Sequence, residues 1–357
     1  MNILIVGLGY AGGRFLHAFE SLRHEGTCDI GTIGYVGRNT QNNGLPFFRS
    51  VAEGLAATKP DIVVLSVNDV YRMSILEEMS AFDGFVICEK PFLCPWDNTE
   101  RAVSNLAKTS GFCLDLVERY SPITISLKEF VEANALCLMR ANFTWGKNRL
   151  GDHRPTCGVT SEIIHPLDIV QFICGGALCY RVSAAHGTCS DFSVSGPAVV
   201  DSVAVIARLG DAPVLGYASF VNVARRREVG LIFARPAGSL VFAHLCFDDP
   251  RWDDDELRVW EMGATEDVLL LELRTRSRPS ACGALGLQKT ERLVSDVVAS
   301  VRGYPPKQPF PDINQAVLLQ RLLNEIHAQI DTSCPVLFSA KMQVPTTSLS
   351  GNLERLG

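Results

Sequence analysis

The chain has 357 residues, 47% hydrophobic and 20% charged, with a formal net charge of -6. That length suits two ordinary domains with large cores and argues against a disordered chain. With no basic block and no apolar run near the ~18 residues of a membrane helix, neither nucleic acid nor a bilayer is expected as the main partner.

The first residues read as a strand rather than a basic leader, so no signal peptide is expected. Of the 12 cysteines, none form a C-x-x-C pair, and several (Cys88, Cys137, Cys174, Cys246) sit in apolar runs. This usage fits small buried hydrophobes in a reducing, cytoplasmic compartment, and no metal site is expected.

In chain order, Asn2 to Val6 is a β-branched run of the kind buried on both faces of a sheet. Gly7, Gly9 and Gly12 follow as G-x-G-x-x-G, and then Phe15, Leu16, Phe19 and Leu22 recur at helical spacing. Strand, glycine turn and helix form the context a dinucleotide fingerprint requires. Gly7 makes the tight turn, Gly9 lets a pyrophosphate approach the backbone, and Gly12 lets helix and strand pack closely. The helix N-terminus offers its unpaired N–H groups to the phosphates, with Tyr10 and Ala11 inside the cofactor loop.

Ile30 to Val36 is the second strand, ending in Gly37-Arg38. A carboxylate here would take the adenosine ribose hydroxyls; a glycine and a cation suit a 2'-phosphate instead. NADP(H) is therefore expected in preference to NAD(H). Ser50 to Thr58 reads as a helix, Ile62 to Val67 as a strand with Asn68-Asp69 at its C-terminal end, and Tyr71 to Ser80 as a helix. Phe85 to Cys88 is a strand running into Glu89-Lys90-Pro91. Asp97 to Ser110 is helical with Asp97 as N-cap, and Phe112 to Val117 is a strand followed by Glu118-Arg119-Tyr120-Ser121-Pro122. This alternation predicts a doubly wound parallel sheet, the Rossmann arrangement, over residues 1–122.

The pattern changes after a linking helix, Ile123 to Glu132. Ala135 to Trp145 alternates as a strand, and Gly158 to Cys174 is a helix. Strands follow at Tyr180 to His186, Val200 to Leu209, Pro213 to Val223, Glu228 to Ala234, Gly238 to Phe242, Leu257 to Met262 and Val268 to Leu273. Helices Glu291 to Arg302 and Asn314 to Ala328 close the chain. Residues 123–338 are thus expected to form an α+β domain on an open, largely antiparallel sheet, serving substrate binding and oligomerisation. Residues 339–357 read as a tail.

Several side chains carry chemistry. Lys90, at the mouth of a sheet strand, suits polarisation of a substrate oxygen, with Glu89 and Asn68 beside the cofactor. His165 and Asp168 stand at i and i+3, and Glu162 three residues before the histidine, so all three share one helix face. A histidine there can relay a hydroxyl proton, and a neighbouring carboxylate can orient the ring. Substrate contacts are sought in Tyr120, Glu162, Asp168 and the polar loop holding Asp152 and Arg154. The run Arg225-Arg226-Arg227 reads as a solvated sheet edge or interface.

Taken together, these motifs resemble the glucose-fructose oxidoreductase, inositol dehydrogenase and rhizopine catabolism family. The resemblance rests on Gly7, Gly9 and Gly12, Asn68, Glu89-Lys90-Pro91, Glu118 to Pro122 and the helix with His165-x-x-Asp168, and spans residues 1 to about 335. It implies a pyridine-nucleotide oxidoreductase acting on sugars, cyclitols or related carbonyls. It also implies Lys90 and His165 as the catalytic pair, and homodimers or homotetramers packed through the open sheet. Ser161 stands where the family often has an aspartate, and Val67-Asn68-Asp69-Val70-Tyr71 replaces its Pro-Asn-x-x-His. These departures leave an imine reductase as an alternative chemistry, and a non-catalytic NADP-binding regulator as an alternative class.

Overall fold

The computed structural model describes residues 1–26, 28–40, 44–151, 155–176 and 178–338, apart from the side chain of residue 223. The expected tail, 339–357, and the loop residues Asp152, His153 and Arg154 lie outside them.

Short apolar strands and intervening helices build the first sheet: β1 (Ile3–Val6), α1 (Tyr10–His24), β2 (Ile33–Val36), β3 (Phe47–Phe48), α2 (Val51–Thr58), β4 (Ile62–Leu65), α3 (Arg72–Glu78), β5 (Phe85–Glu89), α4 (Thr99–Asn105) and β6 (Gly111–Asp115). All pairings are parallel, in the order β3-β2-β1-β4-β5-β6. This is the doubly wound order, with its switch point between β1 and β4, where such sheets bind ligands. Both faces are covered, so the central strands are buried at every position.

The second sheet uses longer, alternating strands. The chain continues through α5 (Pro122–Ala133), β7 (Cys137–Asn148), α6 (Thr160–Ile173), β8 (Tyr180–Cys189), β9 (Val200–Leu209), β10 (Ala212–Ser219), β11 (Val221–Ala234), β12 (Leu240–Cys246), β13 (Glu256–Met262) and β14 (Asp267–Arg274), then α7 (Gln288–Val301) and α8 (Ile313–Ala328). Eight strands run in the order β14-β13-β12-β11-β7-β10-β9-β8. Among its described strands, only β7 and β10 pair in parallel.

Two sequence expectations are corrected, and one element is added. The cap of α4 is Asn98, whose side chain accepts the Arg101 N–H, while Asp97 instead accepts from Cys94 N. The strand break falls at Phe220, so the arginine run lies inside β11, an interior strand between β12 and β7 rather than a sheet edge. The two-residue β3 was not expected; Phe47 pairs there with Tyr35, too short a run to show periodicity.

α6 has no solvent-exposed face and is buried at nearly every position, its polar residues included, because it is wedged beneath the second sheet, against α5 and α8. α7 returns to the first sheet, where Leu293, Val294, Val297 and Val298 share a core cluster with Ile3, Ile5, Phe15 and Phe19. The site therefore forms where both sheets and these helices meet.

Candidate active site

The glycine turn has the geometry its spacing implies. Gly7 has φ +96°, a conformation that L side chains rarely adopt, and a Cβ at Gly12 would stand 2.2 Å from the Gly7 carbonyl oxygen. Gly9 instead faces open space, with nothing within 4 Å of its missing Cβ. It caps α1, whose first turn carries no acidic residue to compete with a phosphate. These features fit a dinucleotide pyrophosphate. Arg38 stands two residues past the end of β2, after Gly37, and is exposed.

From this turn a cleft of about 980 Å³ runs along the C-terminal edge of the parallel sheet. Tyr10, Ala11, Asn68, Asp69, Glu89 and Lys90 line it from the first sheet, and Lys147, Ser161, Glu162, His165 and Arg227 from the second half. Glu89 and Asp115 are register partners on β5 and β6. Burial and the Glu89 charge push the Asp115 carboxyl well up.

Lys90 Nζ donates to the Ser161 carbonyl at 2.7 Å and to Glu162 Oε1 at 3.2 Å. Lys147 Nζ lies 2.8 Å from Glu162 Oε2, so two ammonium groups converge on one carboxylate. Burial opposes ionisation of Glu162, but Lys147, Lys90 and His165 together hold its pKa well below the usual range. The partly exposed Lys147 is brought down to about 7, mainly by burial.

His165 stacks on Trp145 at 5.5 Å, and its Nδ1 lies 2.7 Å from Glu118 Oε2. Burial lowers its pKa and outweighs Glu118, leaving a neutral imidazole near pH 7 with Nε2 as the remaining ring nitrogen. Behind Glu118 stands a buried ionic cluster. Arg227 lies 3.7 Å from Glu118 and pairs with Asp248, and Lys289 Nζ donates to Asp248 at 2.7 Å. Burial opposes ionisation of Glu118, but His165 beside it, followed by Lys289 and Arg227, holds its pKa far below the normal range. Arg227 also packs over Trp145 and over Trp252, at 5.2 and 4.6 Å.

The structure thus brings Lys90, Glu162 and His165 together, but with different partners from those expected. The carboxylate beside the imidazole is Glu118, not Glu162 or Asp168. Asp168 is buried against Arg119, accepting from its Nε at 2.8 Å, and Tyr120 is 1% exposed in the core; neither lines the cleft. Burial pushes the Tyr120 hydroxyl far up, so it holds its proton. Asp152 and Arg154 lie outside the described residues. Arg227 is 1% exposed rather than solvated. The sequence reading missed Glu118, Lys147 and Arg227 as site groups. Strand alternation carried the signal for two of them: Lys147 is two residues from the buried Trp145, and Arg227 two from the buried Val229.

No family model matches the chain, and no curated protein matches it. Solved structures do. Levoglucosan dehydrogenase in complex with NADH and L-sorbose is 14% identical, with 92% of this chain and 96% of that one covered and a TM-score of 0.72. KijD10, a 3-ketoreductase from Actinomadura kijaniata in complex with NADP, is 11% identical over 94% and 98%, with a TM-score of 0.68. A super-repressor mutant of Gal80p from Saccharomyces cerevisiae is 12% identical over 92% and 95%, with a TM-score of 0.70. Each match covers more than nine-tenths of the chain, which therefore shares the fold of these solved structures.

Proposed function

We propose that this protein is a nicotinamide-dependent oxidoreductase that moves a hydride between the cofactor and a carbonyl or alcohol carbon of a sugar, cyclitol or related small molecule. The observation that carries the reading is the placement of Lys90 and the His165–Glu118 pair in one cleft continuous with the open glycine turn. Gly7, Gly9, Gly12 and the N-terminus of α1 would hold the pyrophosphate, with Asn68 and Glu89 nearer the nicotinamide. Arg38, with no carboxylate at the end of β2, supports NADP(H) over NAD(H). The cofactor supplies or accepts the hydride.

The chain's own groups do the rest. The Lys90 ammonium, fixed by Ser161 and Glu162, stabilises negative charge on the substrate oxygen. His165, neutral and set by Trp145 and Glu118, takes or returns the hydroxyl proton through Nε2. Glu118 is held ionised by His165 itself and, behind it, by Lys289 and Arg227. A second copy is expected to pack on the uncovered face of the second sheet.

The test is titration of purified protein with NADPH and NADH, followed by a turnover screen across sugars, cyclitols and imines. Tighter NADPH binding with turnover supports the whole reading, and turnover on imines alone moves the chemistry to an imine reductase. The likeness to Gal80p, a repressor, favours one other outcome: tight cofactor binding with no turnover would make the protein a cofactor-responsive regulator.

A further inference from the structure

The fold brings three buried donors to one point beside the cleft, although the sequence spacing had given no reason to expect a metal. Asp69 follows β4, Cys94 follows β5 and Cys157 precedes α6; they are 6%, 0% and 3% exposed. One ligand atom from each, Asp69 Oδ, Cys94 Sγ and Cys157 Sγ, all lie within 4.8 Å of one another. Tetrahedral zinc places sulfur and oxygen ligands about 3.5–3.8 Å apart, so small side-chain shifts suffice.

We propose that Asp69, Cys94 and Cys157 bind a thiophilic divalent cation of the zinc class, which fastens the two halves together at the cofactor cleft.

Two observations support a cation here. The first is the existing bonding. Cys157 Sγ donates to Asp69 Oδ2 at 3.1 Å, and Cys157 Sγ and Thr160 Oγ1 are 3.5 Å apart. The thiol proton occupies the space between sulfur and carboxylate that a metal would take. The second is Arg72. Its guanidinium is 2% exposed, Nη2 donates to the Val67 carbonyl at 3.0 Å, and Nε and Nη1 have no hydrogen-bond partner among the described residues. Arg72 and Asp69 both act on the carboxyl of Asp97, which accepts the Cys94 N–H at 3.0 Å, so Arg72 belongs to the same cluster. Arg72 faces the carboxylates of Asp69 and Asp97, and two thiolates and a carboxylate on a divalent cation carry the same single negative charge as the Asp69 carboxylate with two neutral thiols, so the site takes a cation without changing the charge beside the buried guanidinium.

Binding is a proton exchange and not a redox step: the two thiols lose two protons to solvent, and the sulfurs coordinate the cation. Two thiolates select a soft cation over magnesium or calcium. The Thr160 hydroxyl or water completes four-coordination. A disulfide between the cysteines would leave the carboxylate at their side unexplained.

The experiment is cobalt(II) titration of the metal-free full-length protein without cofactor, followed by zinc. We expect a thiolate-to-cobalt charge-transfer band that saturates at one equivalent, has the intensity of two thiolates and is bleached by zinc. Cys94→Ser and Cys157→Ser should each weaken zinc binding by more than ~100-fold, beyond the loss typical of an outer-shell partner. A wild-type protein with no band overturns the proposal. So does a band indifferent to both serine variants, which would belong to exposed thiols, or an intact mass two hydrogens light without reductant, which would mean a disulfide. The wild-type titration decides the matter even if a variant fails to fold, and it does not depend on whether the protein is an oxidoreductase.

Discussion

Lys90 and Lys147 share Glu162, yet they stand in different positions to it. Lys90 is fixed by a second acceptor, the Ser161 carbonyl, and lies on the parallel-sheet side of the cleft. Removing one such preorganised donor is worth ~3–4 kcal/mol, so Lys90→Ala should lower turnover by ~10²–10³ while cofactor affinity stays near wild type. Near-normal turnover would remove Lys90 from the chemistry. Lys147 is the group that titrates near neutrality. Its ordinary value of 10.5 is brought to about 7, so it is charged below that pH and neutral above it. Between about 7 and 10.5 the unfolded chain binds a proton at this site that the native protein does not, and native stability therefore rises with pH across that window. Lys147→Met should flatten the rise and remove an ionisation near pH 7 from the kcat/KM profile. The limb belonging to His165 should remain, below the usual histidine range. A Lys147→Met profile that superimposes on wild type would show that this lysine neither titrates nor matters there.

At the scale of elements, α6 is fixed to the turn after β6 by Arg119 and Asp168, with Arg119 also over the Phe172 ring at 4.7 Å. Breaking a buried pair by neutralising one partner costs about 3 kcal/mol or more. Asp168→Asn should therefore lower Tm clearly while leaving kcat intact at low temperature. A selective loss of substrate affinity at unchanged Tm would instead restore the substrate-contact role expected from its shared face with His165. That expectation shows what the sequence makes legible and what it does not. The Rossmann half was readable because its elements are short, local and punctuated by glycines, and because Lys90 is placed by its own strand. Helical spacing correctly put Glu162, His165 and Asp168 on one helix, but a helix buried all round sends them in different directions: to Lys90 and Lys147, to Glu118, and to Arg119. Which partner each meets depends on strand order in the second sheet, a non-local property. Arg227 is the sharpest case. It looked solvated within a run of three arginines, yet it pairs across strands with Trp145 and is the buried cation behind Glu118. Nor does spacing reveal that Cys94 and Cys157, far apart in sequence, meet beside Asp69 only when the halves close.

At the scale of the molecule, the two faces of the second sheet differ. One is covered by α5 and α6, with Phe143, Val205, Val229 and Ala243 buried beneath them. The other carries Ile206 at 50% and Tyr217 at 40% exposure, with Phe242 stacked on Trp260 at 5.8 Å across β12 and β13. Cross-strand pairing of Ile206 with Leu215, and of Ile232 with Phe242, puts further aliphatic side chains on this face. An apolar sheet face left open is a common site of association between copies, because apolar area removed from water contributes about 25 cal/mol per Å². We expect the protein to sediment as a dimer or tetramer at micromolar concentration. Because the cofactor turn lies on the other sheet, a double variant, Ile206→Arg with Tyr217→Arg, should be monomeric with cofactor affinity unchanged. If wild type is monomeric at every concentration, this face is not an interface between copies. If the double variant keeps the wild-type assembly, the copies meet elsewhere.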